Sequence, residues 1–196
     1  SKQFTINKPF SLSGKGLHTG LNIEASFLPA EENTGIIFKR IDLEGAPERP
    51  AIATYVSATE RGTVLKKGEA AVSTIEHIMS AFMAHGIDNC IIEINAPEVP
   101  ILDGSAKFVV EALNKIGKKE QNAERKFFEV KEEMTFTNGN TTIKLLPADD
   151  FCAEVTIDFN SPILKKQSAS ICGFTDYDKE ISSALTFVFV REIALL

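Results

Sequence analysis

Hydrophobic and polar residues alternate with a period of two through the first part of the chain. Residues 4–6 and 21–25 show this alternation, which is typical of half-buried β-strands, and the short apolar run at 36–38 is predicted as a further strand. Glycine-containing segments at 14–16 and 34–35 lie between these runs and favour turns. The pattern therefore predicts a strand-rich N-terminal region.

Two helices are predicted next, after further short strands at 52–56 and 62–65. Residues 73–85 carry apolar side chains at helical spacing, and Gly86 ends that helix. Residues 89–94 form a nearly continuous apolar strand. Asp103 is the predicted N-cap of a second helix that runs to Gly117.

A change of pattern at residues 118–126 marks a predicted domain boundary. This segment is charged and shows no periodicity, whereas strand patterns resume at 127–130, 141–146, 151–159 and 186–190. We therefore expect an α+β protein with a first domain over 1–125 and a second over 126–196. Residues 191–196 resemble the first turns of a helix, so the second domain is expected to be truncated in this chain.

Composition narrows the classes of partner and compartment. The 196 residues include 27 acidic and 21 basic side chains. The sequence contains no run of five basic residues, so nucleic acid is not an expected partner. The apolar stretch at 184–190 is too short for a transmembrane segment. Three dispersed cysteines without a C-x-x-C pair predict reduced thiols and a cytoplasmic location; they are Cys90, Cys152 and Cys172.

Glu76 and His77 are the candidate catalytic pair at the start of the first helix. A histidine can bind a metal ion while a neighbouring carboxylate takes a proton from the water on that ion. Neither H-E-x-x-H nor H-x-x-E-H is present, however. His85 lies about 12 Å further along the helix axis, so it cannot share an ion with His77.

A structural explanation competes with the metal site. Ser73 and Glu76 have the spacing of a capping box, in which Glu76 would reach back to the helix N-terminus. On spacing alone the capping box is the better explanation.

The glycine-rich segment 14–20 matches no phosphate-binding motif, and it suits a turn between strands about as well as a binding site.

Several strings taken together resemble one enzyme family. They are SGKGLHTG at 13–20, STIEH at 73–77, GIDN at 86–89, NAPEVPILDGS at 95–105 and TF at 186–187. In this combination and order the chain resembles the UDP-3-O-acyl-N-acetylglucosamine deacetylases, zinc amidases of lipid A synthesis. The resemblance covers the chain from its first residues to its last.

The resemblance implies a fold and a set of site residues. It implies two similar α+β units, each a mostly antiparallel sheet layered on two helices, with the second unit incomplete here. His77 would bind Zn²⁺, Glu76 would be the general base and Thr186 would stabilise the oxyanion. His18, Leu17 and Phe187 would contact the substrate, a UDP-linked acylated glucosamine that loses its N-acetyl group.

The chain also departs from the family pattern. The remaining zinc ligands of the family, a histidine and an aspartate, and its C-terminal general-acid histidine have no counterpart after His85. Leu185 and Val188 replace a common arginine and glycine. We therefore expect Zn²⁺ to be absent or weakly bound and this fragment to be inactive. The alternative is a naturally short, non-catalytic relative that binds a lipid precursor or regulates a partner enzyme.

Overall fold

The chain folds into two compact units of helices and mostly antiparallel strands. The structure, a computed structural model, describes residues 1–159, 161 and 163–187. One unit comprises Ser1–Arg125 with the described residues from Asp178 onward, and the other comprises Lys126–Tyr177. This architecture confirms the predicted α+β class. The assignment of domains to 1–125 and 126–196 stays a prediction.

The helices and strands follow one another in a mixed order. They are β1 (Lys2–Ile6), β2 (Phe10–Lys15), β3 (Asn22–Pro29), β4 (Ile36–Arg40), β5 (Glu48–Pro50), a 3₁₀ turn (Ala53–Tyr55), β6 (Val56–Ala58), β7 (Val64–Lys67), β8 (Ala70–Val72), α1 (Glu76–His85), β9 (Cys90–Ile94), α2 (Lys107–Ile116), β10 (Lys118–Glu124), β11 (Met134–Asn138), β12 (Thr141–Leu145), β13 (Cys152–Ile157), β14 (Gln167–Cys172) and α3 (Tyr177–Glu180). Among the described residues, no helix is long and apolar enough to cross a bilayer.

A five-stranded sheet in the order β2-β3-β9-β4-β5 forms the centre of the first unit. β9 runs parallel to β4, and the other neighbouring strands are antiparallel. Cys90, Ile92 and Ile94 of β9 are fully buried, as a central strand requires. The strands predicted around residues 4–6, 21–25, 36–38 and 89–94 are thus confirmed.

Helix α1 packs its apolar stripe against this sheet. Ile78, Ala81 and Phe82 are its buried residues, and the Phe82 ring centroid lies 6.0 Å from that of Phe27 in β3. Gly86 ends the helix with a φ of 66°, a left-handed conformation that glycine adopts without a Cβ penalty. Helix α2 lies beside α1 and buries Val109, Val110 and Leu113.

A three-stranded sheet, β6-β7-β8, leads the chain into α1. After β8, Ser73 pairs with the segment that follows β9: its N–H donates to the Pro97 carbonyl at 2.9 Å, and its carbonyl accepts from the Val99 N–H at 3.2 Å. The sheet and this pairing together fix the direction in which the chain approaches the first turn of α1.

The second unit contains two antiparallel hairpins, β11–β12 and β13–β14. Their strands confirm the predictions at 141–146 and 151–159. Many of their apolar side chains are exposed, including Phe136, Ile143 and Val155. The hairpins alone therefore bury little hydrophobic surface, and burial of such surface is the main favourable term in folding.

Three local predictions are wrong or lie partly outside the described residues. Residues 127–130 form no strand, and Phe127 and Phe128 are 72% and 82% exposed. Residues 52–56, predicted as a strand, are mostly the 3₁₀ turn before β6. In the predicted strand at 186–190, Thr186 and Phe187 are not in a strand, and 188–190 lie outside the described residues.

The charged segment at 118–126 is mostly the regular strand β10. It pairs antiparallel with β1, and most of its side chains are exposed. A strand whose side chains are largely in water needs no apolar alternation, so its sequence lacks the period-two signal. Pairing with the distant β1 supplies the backbone hydrogen bonds that hold it.

The prediction of reduced thiols is wrong for two of the three cysteines. Cys152 and Cys172 face one another across β13 and β14 and form a disulfide. Cys90 is a free and buried thiol. The pairing depends on strand register across a separation of 20 residues, which cysteine spacing alone does not reveal.

Candidate active site

The turn before α1 is strained at Thr74. This buried, β-branched residue has a φ of 63°, a left-handed conformation that such residues rarely adopt. Its N–H donates to the Thr63 carbonyl at 3.0 Å. Backbone strain of this kind costs about 1–3 kcal/mol and is concentrated at functional sites. The strained residue, Thr74, lies two residues before Glu76.

Glu76 does not form the capping box that its spacing suggested. Its Oε2 accepts a hydrogen bond from the Thr63 N–H at 2.9 Å. Ser73, the presumed cap, instead donates from its hydroxyl to the Pro97 carbonyl at 3.2 Å, and no side chain among the described residues caps the helix. The reason is that the positive φ of Thr74 turns Ser73 away from the helix. Glu76 is therefore oriented by a neighbouring loop.

His77 follows Glu76 in the first turn of α1 and is half-buried. Its side chain lines a narrow pocket together with Thr74 and with Leu102 and Ser105 of the loop that precedes α2. Glu76 and His77 thus occupy the start of one rigid element but make different contacts. The Glu76 carboxylate accepts from the Thr63 backbone amide, whereas His77 lines the pocket.

His18 reaches the same region from the glycine-rich loop between β2 and β3. Its Nε2 donates to the Arg61 carbonyl at 3.1 Å, two residues from the Thr63 amide that binds Glu76. Leu17 is 48% exposed beside it. The 14–20 segment is thus a strand followed by a turn, and this turn lies close to the candidate pair Glu76 and His77. Substrate contacts of Leu17 and His18 stay predictions.

Glu98, which the sequence analysis did not single out, is a buried acid beside the candidate site. It is completely buried, and its carboxylate accepts hydrogen bonds from the His18 and Thr19 N–H groups and from the Thr19 and Thr74 hydroxyls. Burial alone would raise the pKa of Glu98, but these hydrogen bonds outweigh it and hold the pKa below its usual value. The sequence signal was an acid between Pro97 and Val99 in an otherwise apolar string.

Thr186 lies against the loop before α2. Its N–H donates to the Gly104 carbonyl at 2.8 Å. Gly104 has a φ of 86°, and an added Cβ there would lie 3.5 Å from the Thr186 methyl group. The loop that lines the His77 pocket therefore also binds the Thr186 backbone. Leu185 and Phe187 are 64% and 56% exposed on either side.

Asp103 does not cap α2, contrary to prediction. Its Oδ1 accepts from the Ser105 N–H at 3.0 Å and from the Ser105 hydroxyl at 2.7 Å, which closes a local turn. The Ser105 hydroxyl oxygen in turn accepts from the Lys107 N–H at 3.1 Å. The helix starts a few residues later than expected, so the aspartate shapes the loop rather than the helix terminus.

His85 lies at the other end of α1, as its spacing from His77 required. Its Nε2 is 2.8 Å from Asp178 Oδ1, and the Asn114 amide donates to the second oxygen of that carboxylate. These contacts join the ends of α1 and α2 to the segment beginning at Asp178. His85 therefore has structural partners away from the candidate site.

The described residues do not by themselves fit a complete zinc site. Within 1–159, 161 and 163–187, no three His, Cys, Asp or Glu side chains are close enough together to hold a metal ion. A tetrahedral zinc ion in an enzyme usually has three protein ligands. His77 is thus a single candidate ligand in this part of the chain.

Comparisons with known proteins identify relatives along the whole chain. Residues 3–196 match the family model described as LpxC: UDP-3-O-acyl N-acetylglycosamine deacetylase. The chain is 49% identical to a protein of Porphyromonas gingivalis named bifunctional enzyme LpxC/FabZ, covering 100% of this chain and 43% of that protein. A protein of the same name from Bacteroides thetaiotaomicron is 45% identical, with 98% of this chain and 42% of that protein covered.

A relative with a single named activity is also similar. The UDP-3-O-acyl-N-acetylglucosamine deacetylase of Saccharophagus degradans is 41% identical over 100% of this chain and 65% of its own length. The chain thus spans less than half of the two bifunctional relatives and about two thirds of this one.

Proposed function

Because the chain belongs to the UDP-3-O-acyl N-acetylglycosamine deacetylase family, we propose that the complete protein removes the N-acetyl group of UDP-3-O-acyl-N-acetylglucosamine. The reaction would be the committed step of lipid A synthesis. The observation that carries the proposal is the orientation of Glu76, which binds the Thr63 amide and is not used to cap its own helix. A carboxylate held in this way is suited to general-base catalysis.

Each residue has a distinct proposed role. Glu76 takes a proton from the attacking water, since one of its oxygens is fixed while the carboxylate stays half-buried. The Thr186 hydroxyl donates a hydrogen bond to the N-acetyl carbonyl oxygen, which becomes negative. A positioned donor stabilises charge that develops in the transition state. The backbone bond of Thr186 to Gly104 supports that placement. His18, Leu17 and Phe187 contact the UDP-linked substrate.

We further propose that the complete enzyme depends on zinc. His77 would be one ligand, and the other ligands would come from outside the described residues. The chain of residues 1–196 alone would then bind Zn²⁺ weakly or not at all and would be inactive. A cytoplasmic location is proposed from the nucleotide-linked substrate alone. The disulfide gives that location no support, because disulfides persist mainly in oxidising compartments.

The metal assignment is tested on the product of the complete gene. Wild-type protein is expected to release acetate and the free amine from UDP-3-O-acyl-N-acetylglucosamine, to stop when a chelator removes the metal, and to recover when Zn²⁺ is restored. His77→Ala should retain less zinc after dialysis than the wild type, while the matched variant His85→Ala should retain a wild-type amount. Absence of product from the wild type, or equal zinc in His77→Ala, would contradict the proposal.

A further inference from the structure

Glu98 joins two segments that are far apart in sequence. Its carboxylate accepts from the His18 N–H at 3.0 Å and the Thr19 N–H at 3.0 Å in the loop between β2 and β3. It also accepts from the Thr74 hydroxyl at 3.1 Å in the turn before α1. One buried side chain thus connects the loop of His18 to the turn that leads into Glu76 and His77.

Neutral donors surround this carboxylate. The Thr19 hydroxyl donates to Oε2 at 3.0 Å, in addition to the two amides and the Thr74 hydroxyl. A buried carboxylate is costly unless donors replace its hydration, and such charge-assisted hydrogen bonds are short and directional. The arrangement therefore fixes the positions of the donors as well as the ionised state of the acid.

Gly16 allows the carboxylate to approach the loop backbone. A Cβ added at Gly16 would lie 2.5 Å from Glu98 Oε2 and 2.9 Å from the Ile23 Cδ1. These distances are too short for van der Waals contact, so any side chain at this position would displace the Glu98, Thr19 or Ile23 side chain. The close fit shows that the loop is built around the acid.

Thr74 needs an external partner because its backbone is strained. Its φ of 63° is unfavourable for a β-branched residue, and such strain persists only where surrounding contacts determine the conformation. The hydroxyl contact with Glu98 and the N–H contact with Thr63 supply that determination. Thr63 also donates to Glu76, so the turn and the proposed base share a neighbour.

We propose that Glu98 is a positioning residue, whose carboxylate sets the His18 loop and the Thr74 turn in register with one another and thereby orients Glu76. The inference rests on the proposed deacetylase function for its kinetic consequence, but the connection itself is a property of the fold. In this proposed role Glu98 does not contact a reacting atom. It acts through the Thr74 turn and the Thr63 amide.

The kinetic test compares four variants of the complete gene product. Glu98→Gln replaces an acceptor oxygen by an amide that opposes the His18 and Thr19 N–H groups. The resulting displacement should lower kcat by about 100-fold, since a misplacement near 1 Å has an effect of that size.

Thr74→Val should lower kcat by roughly tenfold because it removes one donor, whereas Thr74→Ser keeps the hydroxyl and should retain the wild-type kcat. Glu93→Gln, on the same segment of chain, is the charge-loss control.

Rates are measured well below each variant's unfolding temperature and per folded molecule. A role limited to stability would lower the unfolding temperature and leave kcat unchanged. Wild-type kcat in folded Glu98→Gln, or equal rates in Thr74→Val and Thr74→Ser, would overturn the proposal. If Glu98→Gln fails to fold, the two Thr74 variants decide between these outcomes.

Amide hydrogen exchange tests the connection without any assay of activity. Glu98→Gln, or Thr74→Val in its place, should accelerate exchange at Thr63 as well as at His18 and Thr19, and Glu93→Gln should change none of them. Unchanged exchange at Thr63 would contradict the coupling even if the enzyme is a deacetylase. Failure of the wild type to deacetylate would instead reject the proposed function and leave the exchange result to decide the coupling.

Discussion

Thr74 and Glu98 show how single residues give the candidate site its geometry. Thr74 has a φ of 63°, which turns Ser73 away from α1 and leaves Glu76 bound to Thr63. Glu98 stabilises that turn from a distance of 24 residues in sequence and binds His18 from a distance of 80. Spacing along the chain favoured a capping box, because spacing does not report a backbone conformation set by such remote contacts.

The depressed pKa of Glu98 makes a prediction about stability and pH. Because its hydrogen bonds lower the pKa in the folded state from the ordinary value of 4.5, its contribution is present above that value and is lost as the pH falls through the folded pKa. Glu98→Gln should lower the free energy of unfolding by about 1–3 kcal/mol at neutral pH, and the difference from wild type should shrink in acid. Urea unfolding at several pH values measures it. A pH-independent difference would show that the charge is irrelevant.

At the scale of strands and helices, the sequence predicted several of the elements that bury one face, although it missed the short buried strand β8. β3, β9 and α1 have the expected periodicities because their apolar side chains pack in the core of the first unit. β10 was missed because most of its side chains are in water and its hydrogen bonds come from β1. Pairing partners of that kind are tertiary information, which a local pattern does not contain.

The strands that carry the cysteines predict the pattern of thiol reactivity. Cys90 in β9 is completely buried, and burial raises its pKa to about 12, so its thiol should not react with iodoacetamide in the native protein. Unfolding without reductant should expose this single thiol. Mass spectrometry after labelling counts the modified cysteines.

A reductant supplies the control for this experiment. Cys152 and Cys172 are exposed on β13 and β14, so both should become reactive in the native protein once their disulfide is reduced. Rapid native labelling at Cys90, or three reactive thiols without reductant, would contradict the described arrangement.

For the whole molecule, family membership came from strings that are informative only in combination. The strings at 95–105 and 13–20 do not carry a helix or strand pattern along their whole length. Glu98 and His18 within them are nevertheless joined by a hydrogen bond. The sequence predicted the α+β class and several core elements. It could not predict how the loops meet, since the hydrogen bonds between them join residues many positions apart. Within the described residues, the candidate site contains a proposed base, Glu76, and one candidate metal ligand, His77.

The most direct measurement compares kcat for acetate release by Glu76→Gln and wild type, using the complete gene product and UDP-3-O-acyl-N-acetylglucosamine. Glu69→Gln, an exposed position between β7 and β8, is the matched control. If Glu76 is the general base, kcat of Glu76→Gln should fall by about 100- to 10,000-fold while Glu69→Gln stays at the wild-type rate. A Glu76→Gln protein that is folded and releases acetate at the wild-type rate would contradict the account.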